Sequence, residues 1–285
     1  MSMKEPREKR DALRVSIFDP TGNITALVES PVAPEEQSAA AARIMERFPQ
    51  VEQVGFVRLP QETAAPVELR MAGGEFCGNA SMSAAALSLL RRGSATDEGA
   101  WETLGLRVRG VSREVEVRLR RETAESFCAS VRMPPVLSLN EQVFPFGALR
   151  DPITIVRAEG ISHAIVTPGS PFFALRDDRD AAEEAARRIC AALGAEAFGL
   201  MFLEGEAPRL RLTPLVYVPG SGTMFWENSC ASGSAAVAAA MAGRSGSPVC
   251  LELEEPGGVL AVKSEGLRGE TWLSGRTRLV GEAEI

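Results

Sequence analysis

Two stretches of this chain read as variations on one design. Glu75-Phe76-Cys77-Gly78-Asn79-Ala80-Ser81 and Asn228-Ser229-Cys230-Ala231-Ser232-Gly233-Ser234 each set a cysteine at the head of a run of small residues long enough for a helix. The first run continues through Ala84, Ala85 and Ala86, the second through Ala238, Ala239 and Ala240. In both, apolar residues cover nearly the full helical circumference. A helix that is apolar all round belongs in an interior, because no face of it is suited to water. Each run follows strand-like segments and a glycine-containing turn, Ala72-Gly73-Gly74 in one half and Pro219-Gly220-Ser221-Gly222 in the other. The chain therefore reads as an internal duplication whose halves join near Pro134-Pro135, each half wrapped around its own helix.

The flanking pattern predicts the same order of elements twice. Strands over 13–19 and 24–29 flank a turn at Pro20-Thr21-Gly22-Asn23, and a helix follows over 35–48. Strands over 53–59 and 67–71 lead to the first cysteine-headed helix, which Gly93 can close. Strands over 106–111, 114–120 and 126–133 complete that half. In the second half, strands over 153–156 and 164–167 precede a helix over 179–193. Strands over 198–203 and 210–217 lead to the second cysteine-headed helix, followed by strands over 249–254 and 259–263 and an extended run over 271–285. The expected architecture is α+β. It has two similar pseudo-duplicated domains, 1–133 and 136–273, each a curved mixed β-sheet around a central helix, with the active site in the cleft between them. Residues 1–12 read as a solvated tail, and a strand over about 274–285 can return to the first half.

The cysteine positions carry the chemistry. The first amides of a helix lack intrahelical partners and hold the positive end of its dipole, so they bind carboxylates and favour thiolate over thiol. Two such cysteines facing one substrate carbon could remove a proton from one side and return one to the other. The amides of both helices would hold the α-carboxylate and the charge that develops on it. Cys128, Cys190 and Cys250 lie in strand-like or helical runs and read as ordinary small hydrophobes.

Composition removes several alternatives. With 285 residues and 45% hydrophobic content the chain can bury sizeable cores. Its formal charge of -7 offers no electrostatic footprint for nucleic acid. A single histidine, His163, excludes zinc patterns built on His pairs, and no metal site is expected. His163 itself reads as a structural residue. No apolar run approaches a membrane span, and the charged stretch from Met1 to Arg14 is unlike a signal peptide, so a cytoplasmic location is expected. The odd cysteine count, five, fits that location.

These motifs resemble the diaminopimelate epimerase-like superfamily, which includes proline racemases and phenazine-pathway isomerases. The carriers are Cys77-Gly78-Asn79, Cys230-Ala231-Ser232-Gly233 and the early Gly22-Asn23. Within it the chain is most similar to the histidine racemases of staphylopine-type metallophore biosynthesis. That similarity runs through Asp19-Pro20-Thr21-Gly22-Asn23, Glu52-Gln53-Val54-Gly55-Phe56, Trp226-Glu227-Asn228-Ser229-Cys230 and Glu255-Pro256-Gly257-Gly258.

The resemblance implies the two-domain α+β fold, no cofactor, and Cys77 and Cys230 as an acid/base pair. It also implies substrate contacts from Asn23, Gln53, Gly78, Asn79 and the amides of Ala231, Ser232 and Gly233. Glu52 either accepts an imidazole N–H of a substrate or is a solvated charge between helix and strand. Glu227 and Glu75 either bind the substrate ammonium or merely oppose thiolate formation. Where diaminopimelate epimerases carry a Glu-Arg pair this chain has Ser221-Gly222, and their G-N-P-H becomes Gly160-Ile161-Ser162-His163. Both changes argue against diaminopimelate.

The expected partner is thus a small amino acid, with neither nucleic acid nor membrane, and a homodimer is left open. The competing readings are another two-cysteine racemase or epimerase, a single-cysteine hydrolase, and a non-catalytic amino-acid-binding protein.

Overall fold

The computed structural model describes residues 12–60, 65–93 and 99–285. Most of the expected tail, residues 1–11, lies outside the described residues.

β1 (Arg14–Asp19) and β2 (Thr25–Val28) are antiparallel around a tight turn. Thr21 (φ 58°) and Gly22 (φ 91°) are both left-handed there. A β-branched residue in that region is strained, on the order of 1–3 kcal/mol, and needs outside support. Support comes from Arg276, whose carbonyl accepts the Thr21 hydroxyl at 3.2 Å, and from Asp19 Oδ1, which accepts the Gly22 N–H at 2.6 Å.

After a short 3-10 turn at Pro34–Glu36, α1 (Gln37–Arg47) crosses to β3 (Gln53–Arg58), parallel to β2. β4 (Val67–Met71) pairs antiparallel with β3. α2 (Gly78–Arg92) then crosses to β5 (Trp101–Val108), parallel to β4, and β6 (Val115–Arg121) and β7 (Ser126–Arg132) follow antiparallel.

The chain next forms the antiparallel run β8 (Val136–Val143), β9 (Pro152–Ala158) and β10 (Ile161–Val166). A 3-10 segment, Pro171–Asp177, and α3 (Arg179–Leu193) lead to β11 (Phe198–Glu206), parallel to β10. β12 (Arg209–Val218) and the short β13 (Thr223–Trp226) are antiparallel. α4 (Ala231–Ser245) crosses to β14 (Val249–Glu255), parallel to β12. β15 (Gly258–Ser264) and β16 (Thr271–Glu284) end the chain.

The strand order is β1-β2-β3-β4-β5-β6-β7-β16-β15-β14-β12-β11-β10-β9-β8. Its seam is the antiparallel pair β7–β16. The far end of β16, from Arg278 to Glu284, also pairs with β1, so the first seven strands and β16 close into a ring. α2 packs against β2, β4, β5, β6, β7 and β16. α4 packs against β14, β15, β16 and β10.

Both helices are small-sided and buried along almost their whole length. The α2 serines follow the usual solution for hydroxyls in a dry helix, donating one turn back: Ser81 to the Cys77 carbonyl at 2.7 Å and Ser83 to the Asn79 carbonyl at 3.0 Å. α1 and α3 are amphipathic instead. They bury Ala40, Ala41 and Ile44, and Ala182, Ala186 and Ile189, against smaller satellite cores.

The structure contains β8 and β13, which the sequence pattern does not announce. β8 is bonded to β9 alone, and only partly buried positions interrupt its exposed ones. No alternation therefore marks it. Among the described residues no helix is long and apolar enough to cross a membrane.

Candidate active site

Cys77 is the N-cap of α2 and Cys230 the N-cap of α4, both in extended backbone (φ -132° and -125°). An extended N-cap leaves the next residues' N–H groups pointing past the cap. The two helices approach head to head. A Cβ added to Gly78 would stand 2.8 Å from the Ala231 Cβ, so the first helical residues touch. Asn79 ties the ends together by donating its side-chain N–H to the Ser229 carbonyl at 3.0 Å.

A cavity of about 310 Å³ opens at this junction, lined by both cysteines and by Gly78, Asn79, Ala231 and Ser232. Its volume suits a small ligand, since such sites start at about 300 Å³.

Asn23, Glu52, Gln53 and Glu227 also line this cavity. Asn23 comes from the β1–β2 turn and Gln53 from the first position of β3. Glu52 accepts the Asn23 side-chain N–H at 2.8 Å, the Asn228 backbone N–H at 3.3 Å and the Asn228 side-chain amide. It is a bonded wall residue rather than a solvated charge. Gly233 does not line the cavity but lies beside the Cys230 sulfur. Ala231 has none of the positive φ that would strain it. Cys128, Cys190 and Cys250 lie away from the cavity, and Cys190 donates to the Ala195 carbonyl at 3.3 Å.

The profile of the histidine racemase CntK N-terminal domain matches residues 13–281. The chain belongs to the histidine racemase family. It is an isomerase, an amino-acid racemase. The racemase is 30% identical to a histidine racemase of Fusobacterium nucleatum subsp. nucleatum, over 77% of each chain. It is 25% identical to a histidine racemase of Staphylococcus aureus strain Mu50, over 80% of this chain and 79% of that one. In fold it is similar to a hydroxyproline epimerase from Agrobacterium vitis solved with trans-4-hydroxy-L-proline. That match has TM-score 0.67 and 13% identity, and covers 98% of this chain and 94% of the other.

The electrostatics of the racemase differ from what two helix N-termini alone would produce. Burial pushes the Cys77 thiol up to about 12, and the charges of Glu227 and Glu75 push the same way. The Ala80 N–H, 3.3 Å from the sulfur, and the Gln53 side chain pull against them. Burial pushes Cys230 well above the ordinary thiol range, followed by Glu227 and Glu255; Ser232 and the Gly233 N–H oppose them. The expectation of lowered thiols is thus corrected. Desolvation disfavours a buried thiolate more than a few amide dipoles favour it.

Burial also raises the carboxyls. Glu227 and Glu255 each reach about 8, and Glu52 and Glu75 rise as well.

Glu75, expected either to bind the substrate ammonium or to oppose thiolate formation, lines the cavity with Oε2 buried and unpartnered. Other residues of the site were not singled out in the sequence. Ala41, Ala42 and Met45 of α1 form an apolar wall, and Ser221 and Thr223 a hydroxyl pair 2.7 Å apart. The α1 wall was readable only as one face of an amphipathic helix, with nothing to say what it faces. His163 is fully buried, with Nε2 3.1 Å from Ser232 Oγ. Burial pushes it down to about 3, so its imidazole is neutral. Ser232 Oγ in turn lies 3.6 Å from Cys230 Sγ.

Proposed function

We propose that this protein interconverts L- and D-histidine without a cofactor, using Cys77 and Cys230 as a proton-accepting and proton-donating pair on opposite faces of the α-carbon. One observation carries the reading: both cysteines cap helices whose first turns meet, and both line a single small cavity. The repeated order of parallel and antiparallel pairings supports a duplicated origin, with units over 1–133 and 136–273, each a curved sheet around its helix. The site then lies between the units, in a cytoplasmic enzyme.

In this reading the substrate carboxylate sits on the first-turn amides of both helices, from Gly78 and Asn79 and from Ala231 and Ser232. Those donors also stabilise the charge that reaches the carboxylate as the α-proton leaves. A thiolate on one side takes the α-proton, the thiol opposite delivers its own, and configuration inverts.

The cavity carries Glu52, Glu75 and Glu227, and among the described residues that line it there is no Lys, Arg or His. Such a wall favours a ligand with a cationic ammonium and a side chain that donates hydrogen bonds. A second carboxylate would meet repulsion. Glu52 retains a lone pair for an imidazole N–H, and Glu75 Oε2 or Glu227 receives the ammonium. The arriving cation offsets the carboxylate charge and brings the thiols down toward working range, since an opposite charge nearby favours the charged form. The α1 wall then covers one face of the ring.

The test is an amino-acid panel in deuterated water, followed by chiral separation and mass analysis. Histidine should racemise with uptake of one deuterium at Cα, and diaminopimelate and hydroxyproline should not. Exchange confined to other amino acids would overturn the substrate assignment, and binding without exchange would favour a non-catalytic role.

A further inference from the structure

The β14–β15 hairpin carries Glu255-Pro256-Gly257-Gly258 at its tip, and this tip touches both ends of the site. A Cβ on Gly257 would stand 2.6 Å from the Gly22 Cα, and the Gly257 N–H donates to the Asn228 carbonyl at 2.7 Å. Glu255 turns inward and is 4% exposed. Its Oε2 accepts the Cys230 backbone N–H at 2.6 Å, and its Oε1 accepts the Ser234 hydroxyl at 2.5 Å. Among the described residues no cation contributes to its environment. Most buried carboxylates are paired, because an isolated one is costly, so this residue calls for an explanation.

The two cysteines differ in what faces them. Cys77 receives the Ala80 N–H at 3.3 Å, the Gln53 side chain also favours its thiolate, and the carboxylates that reach it are Glu227 and Glu75. Cys230 has the Ser232 hydroxyl 3.6 Å from its sulfur and Gly233 beside it, and is faced by Glu227 and Glu255. His163 stands behind Ser232 as a neutral ring. Glu255 is the carboxylate bonded to the backbone of the cysteine it faces, and no hydrogen bond of that kind reaches Cys77 among the described residues.

We propose that Glu255 is a positioning residue that keeps the exchangeable proton on Cys230, so that the substrate-bound enzyme presents Cys77 as the base and Cys230 as the acid. The proposal rests on the two-cysteine reading above. In the forward step the Cα–H bond breaks and an S–H bond forms at Cys77, while the Cys230 S–H bond breaks and a new Cα–H bond forms on the opposite face. No oxidation occurs. The product form, with thiolate at Cys230 beside the Glu255 carboxylate, is disfavoured, which drives return to the starting form: Cys230 takes a proton from solvent and Cys77 releases the one it gained to solvent. Glu255 ionises near 8, so its charge is present across the range in which buried thiols titrate.

The test follows iodoacetamide alkylation of Cys77 and Cys230 against pH, with peptide mass spectrometry reading each site. In the unmodified protein Cys77 should show the lower midpoint. Glu255→Gln keeps an acceptor for the Cys230 N–H and removes the charge. It should lower the Cys230 midpoint by about one pH unit or more, with a smaller change at Cys77, as expected for loss of an adjacent like charge. Glu255→Asp retains the charge and should hold the midpoint high.

A Cys230 midpoint at or below that of Cys77 in the unmodified protein would overturn the proposal, and so would an unmoved Cys230 midpoint in a folded Glu255→Gln protein. If that variant does not fold, the unmodified protein alone decides. A reversed order, with racemisation still requiring both cysteines, would reject the role of Glu255 and leave the two-cysteine mechanism standing. Racemisation that survives loss of either cysteine would reject the mechanism itself.

Discussion

At the scale of single residues the account turns on proton custody. Cys77→Ser and Cys230→Ser should each lower histidine racemisation by about 10²–10⁴-fold, the usual worth of a positioned acid or base, with thermal stability little changed. Near-normal turnover in either variant would contradict the pairing. Glu52→Gln should raise KM for histidine more than it lowers kcat, because the proposed binding mode sets Glu52 against the part of the substrate that does not react. Equal loss in kcat and kcat/KM would instead place Glu52 at the reacting centre. Both cysteines were legible because a thiol at the head of an all-apolar helix has few ordinary explanations. Glu255 was not: the alternation of Val249–Glu255 puts it on the buried face with Leu251 and Leu253, but a glutamate beside Glu254 at a strand end reads as solvated. The direction of the thiol shifts was also hidden, since helix-end position is local and depth of burial is not.

At the scale of elements the decisive contact is the head-to-head approach of α2 and α4. Gly78→Ala favours the helix intrinsically but brings a Cβ to 2.8 Å from the Ala231 Cβ. Overpacking of this kind costs about 1–3 kcal/mol, and spreading the two first turns should reduce kcat/KM by about 10²-fold. Comparing Tm with kcat/KM tests this, and a fully active variant would show that the apposition is dispensable. The helices themselves were readable almost to the residue, because α2 and α3 end on left-handed glycines, Gly93 and Gly194, and begin at capping side chains, Cys77 and Asp178. β8 and β13 escaped notice because neither alternates and each is bonded to a single neighbour. β5 begins at Trp101, ahead of the expected 106, since its first turns are exposed and carry little periodic signal.

At the scale of the whole molecule, the strand order mirrors itself about β7–β16, and β16 reaches back to β1. The repeated order of strands and helices was legible in sequence, whereas the ring closed by β16 depends on pairing between the two chain ends. The buried carboxyls give a global signature. Glu227 and Glu255 titrate near 8 in the folded protein and near the ordinary 4.5 when unfolded, so the folded state holds more protons between those values. Their contribution to stability is complete below about pH 4.5 and is lost as pH rises toward 8, with a slope of up to about 1.4 kcal/mol per pH unit for each group. Tm should therefore fall from pH 6 to pH 8, and Glu255→Gln should flatten the decline; an equal slope in that variant would remove Glu255 as its source. The central claim, two proton carriers on opposite faces of one carbon, is tested most directly by early-time racemisation of L-histidine in deuterated water. The account predicts D-histidine carrying deuterium at Cα while recovered L-histidine remains unlabelled. Equal labelling of both enantiomers from the first turnovers would mean that one group serves both faces, and would contradict it.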